Sequence, residues 1–197
     1  MTEKIPNATE HGKEEPEKAV LVSLCTRDMN EELCRVSLNE LQRLLDTAGG
    51  CVFAEVTQAK SSPGPRTCIG SGKVAEVAEL CKNNGIGLVV FDCELSPSQI
   101  RNLEDDIGDD VRVIDRSMLI LDIFARHAAS REGKLQVQLA QLKYTIPRLT
   151  GKGAELSRLG GGIGTRGPGE SKLERDKRHV KRQIDALEAE IRELEQT

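Results

Sequence analysis

The first half of the chain alternates short apolar runs with amphipathic stretches. Residues 18–26 (KAVLVSLCT), 51–57 (CVFAEVT), 86–91 (IGLVVF) and 111–114 (VRVI) are compact apolar runs, bounded by polar or Gly/Pro-bearing loops. They read as strands. Between them lie three helical patterns. One begins at Ser37, with a capping box Ser37-x-x-Glu40 and an apolar face of Leu38, Leu41, Leu44, Leu45 and Ala48, and ends at Gly49-Gly50. The second covers residues 71–84, with Val74, Val77, Ala78 and Cys81 on one side and Gly85 closing it. The third starts at Ser96-Pro97, Ser as N-cap and Pro at the first helical position, and runs to about Asp106. The uniformly apolar third run predicts cover on both faces, as in a parallel sheet. The order β-α-β-α-β-α-β predicts an α/β fold: a small, open, mostly parallel sheet with flanking helices.

After Asp115 the pattern changes. Residues 117–129 read as a helix rich in Leu, Ile and Phe, and no strand follows. Leu135, Leu139, Leu142, Ile146 and Leu149 recur at spacings of 4 and 3, as do Leu173, Lys177, Val180, Ile184, Leu187, Ile191 and Leu194. Both are heptad seams, the second interrupted by Lys177. Joined by a loop, they predict a long antiparallel helical hairpin, a coiled-coil stalk. The expected organisation is a polar, disordered tail over 1–17, an α/β domain over 18–116, and a helical region over 117–197. The tip of the hairpin is residues 156–170 (LSRLGGGIGTRGPGE), where six of fifteen residues are glycine.

Charge sharpens this picture. The net charge is −4, but residues 143–182 hold eleven Lys/Arg against four acids, a net of +7, so the remainder carries −11. A basic part on an acidic body suits a polyanionic partner. With three Phe, one Tyr and no Trp, contact to nucleic acid is expected through phosphate and shape rather than base stacking. Six cysteines stand singly, none in a C-x-x-C pair, and no apolar signal segment opens the chain. They read as free thiols in a reducing, cytoplasmic setting, most of them small buried hydrophobes. No metal site is expected, and no apolar run approaches transmembrane length.

Four features could carry chemistry. Gly164 to Ser171 has the spacing of a nucleotide P-loop, but Glu170 stands where the lysine would meet phosphate, and a helix rather than a strand precedes it. The turn Gly70, Ser71, Gly72, Lys73 leads into a helix and is a weak candidate nucleotide (ATP) site; a tight turn with a solvated lysine is the plainer reading. Asp92, Glu94 and Asp115 lie near strand ends, where they could hold a metal or act as a base, or could cap helices and pair with Arg101 or Arg116. His11, His127 and His179 show no catalytic pairing, and no catalytic residue is expected. The fourth feature is the basic hairpin. Arg158 and Arg166 flank the glycines Gly160, Gly161, Gly162, Gly164, Gly167 and Gly169 with Ile163 and Thr165 among them. Lys172, Arg175, Lys177, Arg178, Lys181 and Arg182 follow. Arginine binds phosphate bidentately and glycine lets backbone approach closely, so this loop and stalk read as an RNA-binding surface.

The run GGGIGTRGPGE, preceded by LSRLG and followed by S-K-L-E-x-D, resembles the signature of the HflX-type ribosome-associated GTPases. So do IGSGKVAEVAEL, VVFDCELSPSQIRNLE, VRVIDRSMLILDIFARHAASREGKLQVQLAQL and YTIPRLTG upstream. Two departures stand out: Ser171-Lys172 where the family commonly has Thr-Gln, and Cys93 where it often has a second Asp. The resemblance implies that a GTP-binding domain, with GTP and Mg, follows the hairpin in the whole protein and is its intramolecular partner. This chain contains no G-x-x-x-x-G-K-[ST] and no N-K-x-D, so it reads as an excised N-terminal part that is not itself the enzyme. The resemblance further implies binding to the large (50S) ribosomal subunit and its rRNA, the loop reaching toward the peptidyl-transferase centre, and ribosome splitting or rescue under stress. Some members are reported to use ATP through this region.

Overall fold

The computed structural model describes residues 16–29, 31–149 and 172–195. Four parallel strands, β1 (Glu17–Cys25), β2 (Gly50–Ala59), β3 (Leu88–Phe91) and β4 (Arg112–Asp115), form one sheet in the order β2-β1-β3-β4. Helices α1 (Glu31–Thr47), α2 (Ser71–Asn84) and α3 (Pro97–Ile107) are the crossovers, followed by α4 (Arg116–His127), α5 (Arg131–Leu149) and α6 (Lys172–Glu195). The expected α/β class and the C-terminal helical region are both present.

The sequence dictates this layering. β1 is central, and every residue from Ala19 to Leu24 is buried. Its alternate side chains serve two cores. Val20, Val22 and Leu24 join Val89, Phe91 and Val113 beneath Val74, Val77 and Cys81 of α2 and Ile100, Leu103 and Ile107 of α3. Ala19 and Leu21 join Leu88, Val90 and Ile114 beneath Leu38, Leu41 and Leu45 of α1 and Leu119 of α4. β2 is an edge strand whose register slips by one, Ala19 pairing with Val52 and Val20 with Ala54. The extra residue, Phe53, breaks the two-residue alternation, so Val52 packs toward α1 while Ala54 and Val56 pack toward α2.

Helix ends follow local chemistry. Ser96 caps α3 in a capping box with Gln99, and Pro97 opens the helix. Asp115 caps α4 by accepting from Met118 N at 3.0 Å. Gly85 closes α2 at φ +62, a conformation that favours glycine. The expected start of α1 needs correction: the helix begins six residues before Ser37, at Glu31. Cys34 continues the stripe of Leu38, Leu41 and Leu45 by one turn, and Glu31 and Glu32 suit the positive first turn. Ser37 is therefore interior to α1. The free-thiol expectation is corrected at one pair: Cys25, at the end of β1, and Cys34 in α1 are joined in a disulfide, with Cα atoms 5.8 Å apart. Cys51, Cys68, Cys81 and Cys93 are free thiols, of which Cys68 and Cys81 are buried.

Ile184, Leu187 and Ile191 of α6 are buried, as the heptad reading requires, and α6 packs on α5. Arg131 and Lys143 of α5 reach Glu190 and Glu188 of α6 at 2.6 and 2.7 Å. These ion pairs are twelve residues apart on α5 and two apart on α6, a spacing that two helices in strict side-by-side register would not give. The tail before residue 16 and the loop 156–170 lie outside the described residues.

Leu41 is fully buried between α1 and β1. Leu41→Ala is expected to lower unfolding free energy by about 3 kcal/mol in urea denaturation. Val36→Ala, at a 57%-exposed position on the same helix, is expected to stay within about 0.5 kcal/mol.

Candidate functional site

In an open parallel sheet, ligands bind outside the carboxyl ends of the strands where the strand order reverses. Here that place lies between β1 and β3, and the protein's own side chains occupy it. Arg116, at the start of α4, places Nη2 2.9 Å from Asp92 Oδ1, just after β3. The same guanidinium donates to the Ser37 carbonyl at 3.0 Å and lies 3.2 Å from Glu40 on α1. Ser23 of β1 donates to Asp92 Oδ2 at 3.4 Å. The Arg116–Asp92 contact has the length of an ion pair without hydrogen-bond alignment: Asp92 Oδ1 and Arg116 Nε have no hydrogen-bond partner among the described residues. Asp115 is buried and accepts from Leu95 N and Met118 N. Glu94 accepts from Ser117 Oγ at 3.3 Å.

Of the three carboxylates singled out in the sequence, Asp92 binds Arg116, Asp115 caps α4, and Glu94 accepts from the Ser117 hydroxyl. Among the described residues no cluster of His, Cys, Asp and Glu could hold a metal. The neighbouring crevice of about 650 Å³ between β2 and α1 is lined by Glu31, Glu32 and Glu55 against the single Arg35. Its excess negative charge disfavours a phosphate that arrives without a cation. The pairing of a carboxylate with Arg116 is one of the sequence expectations; the parts that Ser23, Ser37 and Glu40 play in the same network are not, because these residues lie up to 93 positions from Arg116.

The Gly70–Lys73 turn opens α2, with Gly70 at the N-cap. Gly70 N donates to Gln58 Oε1 at 2.7 Å, and Lys73 Nζ lies 2.7 Å from Glu76. The first amide and the lysine therefore have partners inside the domain, while the space beside Gly72 is open. The loop before it is pinned to α3: Arg66 pairs with Asp106 through two contacts, Gln99 donates to the Gly64 carbonyl and Asn102 to the Arg66 carbonyl. The Arg66 guanidinium holds the Asp106 carboxyl below its ordinary range. That contribution is present above the ordinary carboxylate pKa and lost as pH falls through the depressed one; the pair is exposed, so it is small.

On α6, Arg178, Lys181 and Arg182 are exposed and Lys177 is half-buried, while the apolar seam faces inward. Lys172 and Arg175 belong to the first turn of the same helix. Arg158, Gly160–Gly162, Ile163, Gly164, Thr165, Arg166, Gly167 and Gly169 lie outside the described residues. The helix that presents the basic series is 24 residues long and docks through its C-terminal half.

Comparison with known proteins bears on this arrangement. Residues 35–125 match the family described as GTP-binding GTPase N-terminal, and residues 127–197 match the GTP-binding GTPase middle region. The chain belongs to the HflX-type GTP-binding family. It is 50% identical over 179 residues to the GTPase HflX of Caldanaerobacter subterraneus subsp. tengcongensis, covering 91% of this chain and 40% of that protein. The GTPase HflX of Escherichia coli is 43% identical over 180 residues, covering 91% of this chain and 41% of its own length. The chain thus spans about 40% of the curated HflX relatives it matches. A GTP-binding protein from the hyperthermophilic archaeon Sulfolobus solfataricus in complex with GDP shares the fold, with a TM-score of 0.59 at 23% identity, covering 91% of this chain and 46% of that one. The structure described as the SsGBP and GDP complex gives a TM-score of 0.63 at 23% identity, covering 91% of this chain and 44% of that one. No helix among the described residues is long and apolar enough to cross a membrane.

Arg116→Ala leaves Asp92 buried without its cation. It is expected to cost about 3 kcal/mol in urea denaturation, the lower end for such pairs because Arg116 is a quarter exposed. Arg116→Ala combined with Asp92→Asn is expected to recover part of that loss.

Proposed function

We propose that this chain is the RNA-binding N-terminal and middle part of an HflX-type GTPase. Its α5–α6 pair carries the basic face and the Gly/Arg loop of residues 156–170 to the rRNA of the large ribosomal subunit. The observation that carries this reading is the placement of charge on α6. Its apolar seam is consumed against α5, and Lys181 and Arg182 stay at the surface; in the sequence they follow the loop that carries Arg158 and Arg166. Cations held on a helix whose packing is already satisfied are available to phosphate. By the family resemblance the loop reaches toward the peptidyl-transferase centre and supports ribosome splitting or rescue in the cytoplasm. GTP hydrolysis, with GTP and Mg, belongs to the part of the relatives' length that this chain does not span, and that part is its intramolecular partner.

A second reading places ATP at Gly70, Ser71, Gly72 and Lys73. The open space beside Gly72 favours it. It requires Lys73 to leave Glu76, and titration of the chain with ATP to millimolar concentration without saturation would exclude it.

Cosedimentation with large subunits tests the main reading. The wild-type chain is expected to pellet with them at low salt, and Arg158→Ala with Arg166→Ala to weaken binding at least tenfold at matched salt. Equal binding by the double variant removes the loop from the interface.

A further inference from the structure

Away from the basic hairpin, two free cysteines 25 positions apart in sequence are brought together. Cys68 Sγ and Cys93 Sγ lie 3.2 Å apart, on opposite sides of the junction between the loop after β2 and the turn after β3. The approach is built by the surrounding structure. Cys68 is the one non-glycine residue with positive φ among the described residues, at +63. It is held there by reciprocal backbone hydrogen bonds with Gly64, 3.0 and 2.7 Å, and by the Thr67 hydroxyl donating to the Ile69 carbonyl at 2.8 Å. The loop is fastened to α3 through Arg66–Asp106, Gln99–Gly64 and Asn102–Arg66. A β-carbon-bearing residue held in the left-handed region by so many contacts marks a position whose side-chain direction matters. The direction it fixes is toward Cys93. Cys68 is fully buried and Cys93 is half-exposed, so the pair has one sulfur inside the core and one at its edge.

We propose that Cys68 and Cys93 form a redox modification site, a dithiol that hydrogen peroxide or a comparable small hydroperoxide converts to a disulfide. A thiolate of the pair attacks one peroxide oxygen; the O–O bond breaks, hydroxide leaves, and that sulfur becomes a sulfenic acid. The other sulfur then attacks it, the S–O bond breaks, and the S–S bond forms. Two thiols and one hydroperoxide molecule give one disulfide and two molecules of water in the case of hydrogen peroxide, the peroxide taking both electrons. Bond formation needs the sulfurs to close by about 1 Å. The hydrogen bond between the sulfurs favours this chemistry: it draws the Cys68 thiol below its ordinary pKa and pushes that of Cys93 up, so one proton is shed readily and the other is retained between the two sulfurs. The product ties the loop that leads into the Gly70–Lys73 turn to the start of the α3 connection.

Treating the 197-residue chain with hydrogen peroxide, unfolding it in guanidinium with N-ethylmaleimide to block every remaining thiol, and mapping peptides by mass spectrometry tests the site. The expected product is a Cys68 peptide linked to a Cys93 peptide, released by dithiothreitol, with Cys81 and Cys51 alkylated. The same treatment is expected to raise Tm by several degrees, and Cys93→Ser, at a half-exposed position, to abolish that rise. If Cys68 and Cys93 are both alkylated after treatment, if Cys93 pairs with another cysteine, or if Cys93→Ser keeps the full rise in Tm, the two thiols are packing groups only and the proposal is overturned.

Discussion

Complete burial of β1 on both faces is the constraint from which the rest of the domain follows. Six consecutive buried residues need a helix layer above and below, and a parallel sheet supplies those layers through its crossovers. α1 and α4 cover one face, α2 and α3 the other. The sheet must then grow in both directions from β1, which gives the order β2-β1-β3-β4 and places a reversal between β1 and β3. In folds of this kind the reversal opens a ligand crevice. Here Arg116 fills it and ties α4, the turn after β3 and α1 together.

A carboxyl edge whose aspartates are committed to a guanidinium and to helix amides has little left for a metal or a phosphate, and the acidic lining beside it disfavours anions. The positive charge of the molecule is on the helical region instead. α6 buries Ile184, Leu187 and Ile191 and exposes Arg178, Lys181 and Arg182. The basic series of α6 is confined to its N-terminal half, and the C-terminal half that docks on α5 carries the acids Asp185, Glu188, Glu190, Glu193 and Glu195.

Much of this was legible in the sequence because it rests on local rules. Ser96-Pro97 with Gln99 fixes the start of α3, Gly85 the end of α2, and the spacing of Ile184, Leu187 and Ile191 the buried side of α6. The start of α1 was misplaced because Ser37-x-x-Glu40 imitates a capping box, while the apolar stripe already begins at Cys34. Three features were illegible for one shared reason: they depend on residues distant in sequence. Ser23 and Glu40 join the Asp92–Arg116 pair from two other elements, Phe53 becomes a bulge only in register with β1, and Cys68 meets Cys93 where α3 clamps the loop that carries Cys68. The Cys25–Cys34 bond belongs to the same class, since spacing alone did not single that pair out.

The central claim is that the basic part of the helical region binds RNA through phosphate. Affinity of the chain for purified large subunits, measured over a series of monovalent salt concentrations, tests this most directly. About six neutralised phosphates give a slope of log affinity against log salt near −4 to −5. A slope close to zero, or no binding at the lowest salt, contradicts it.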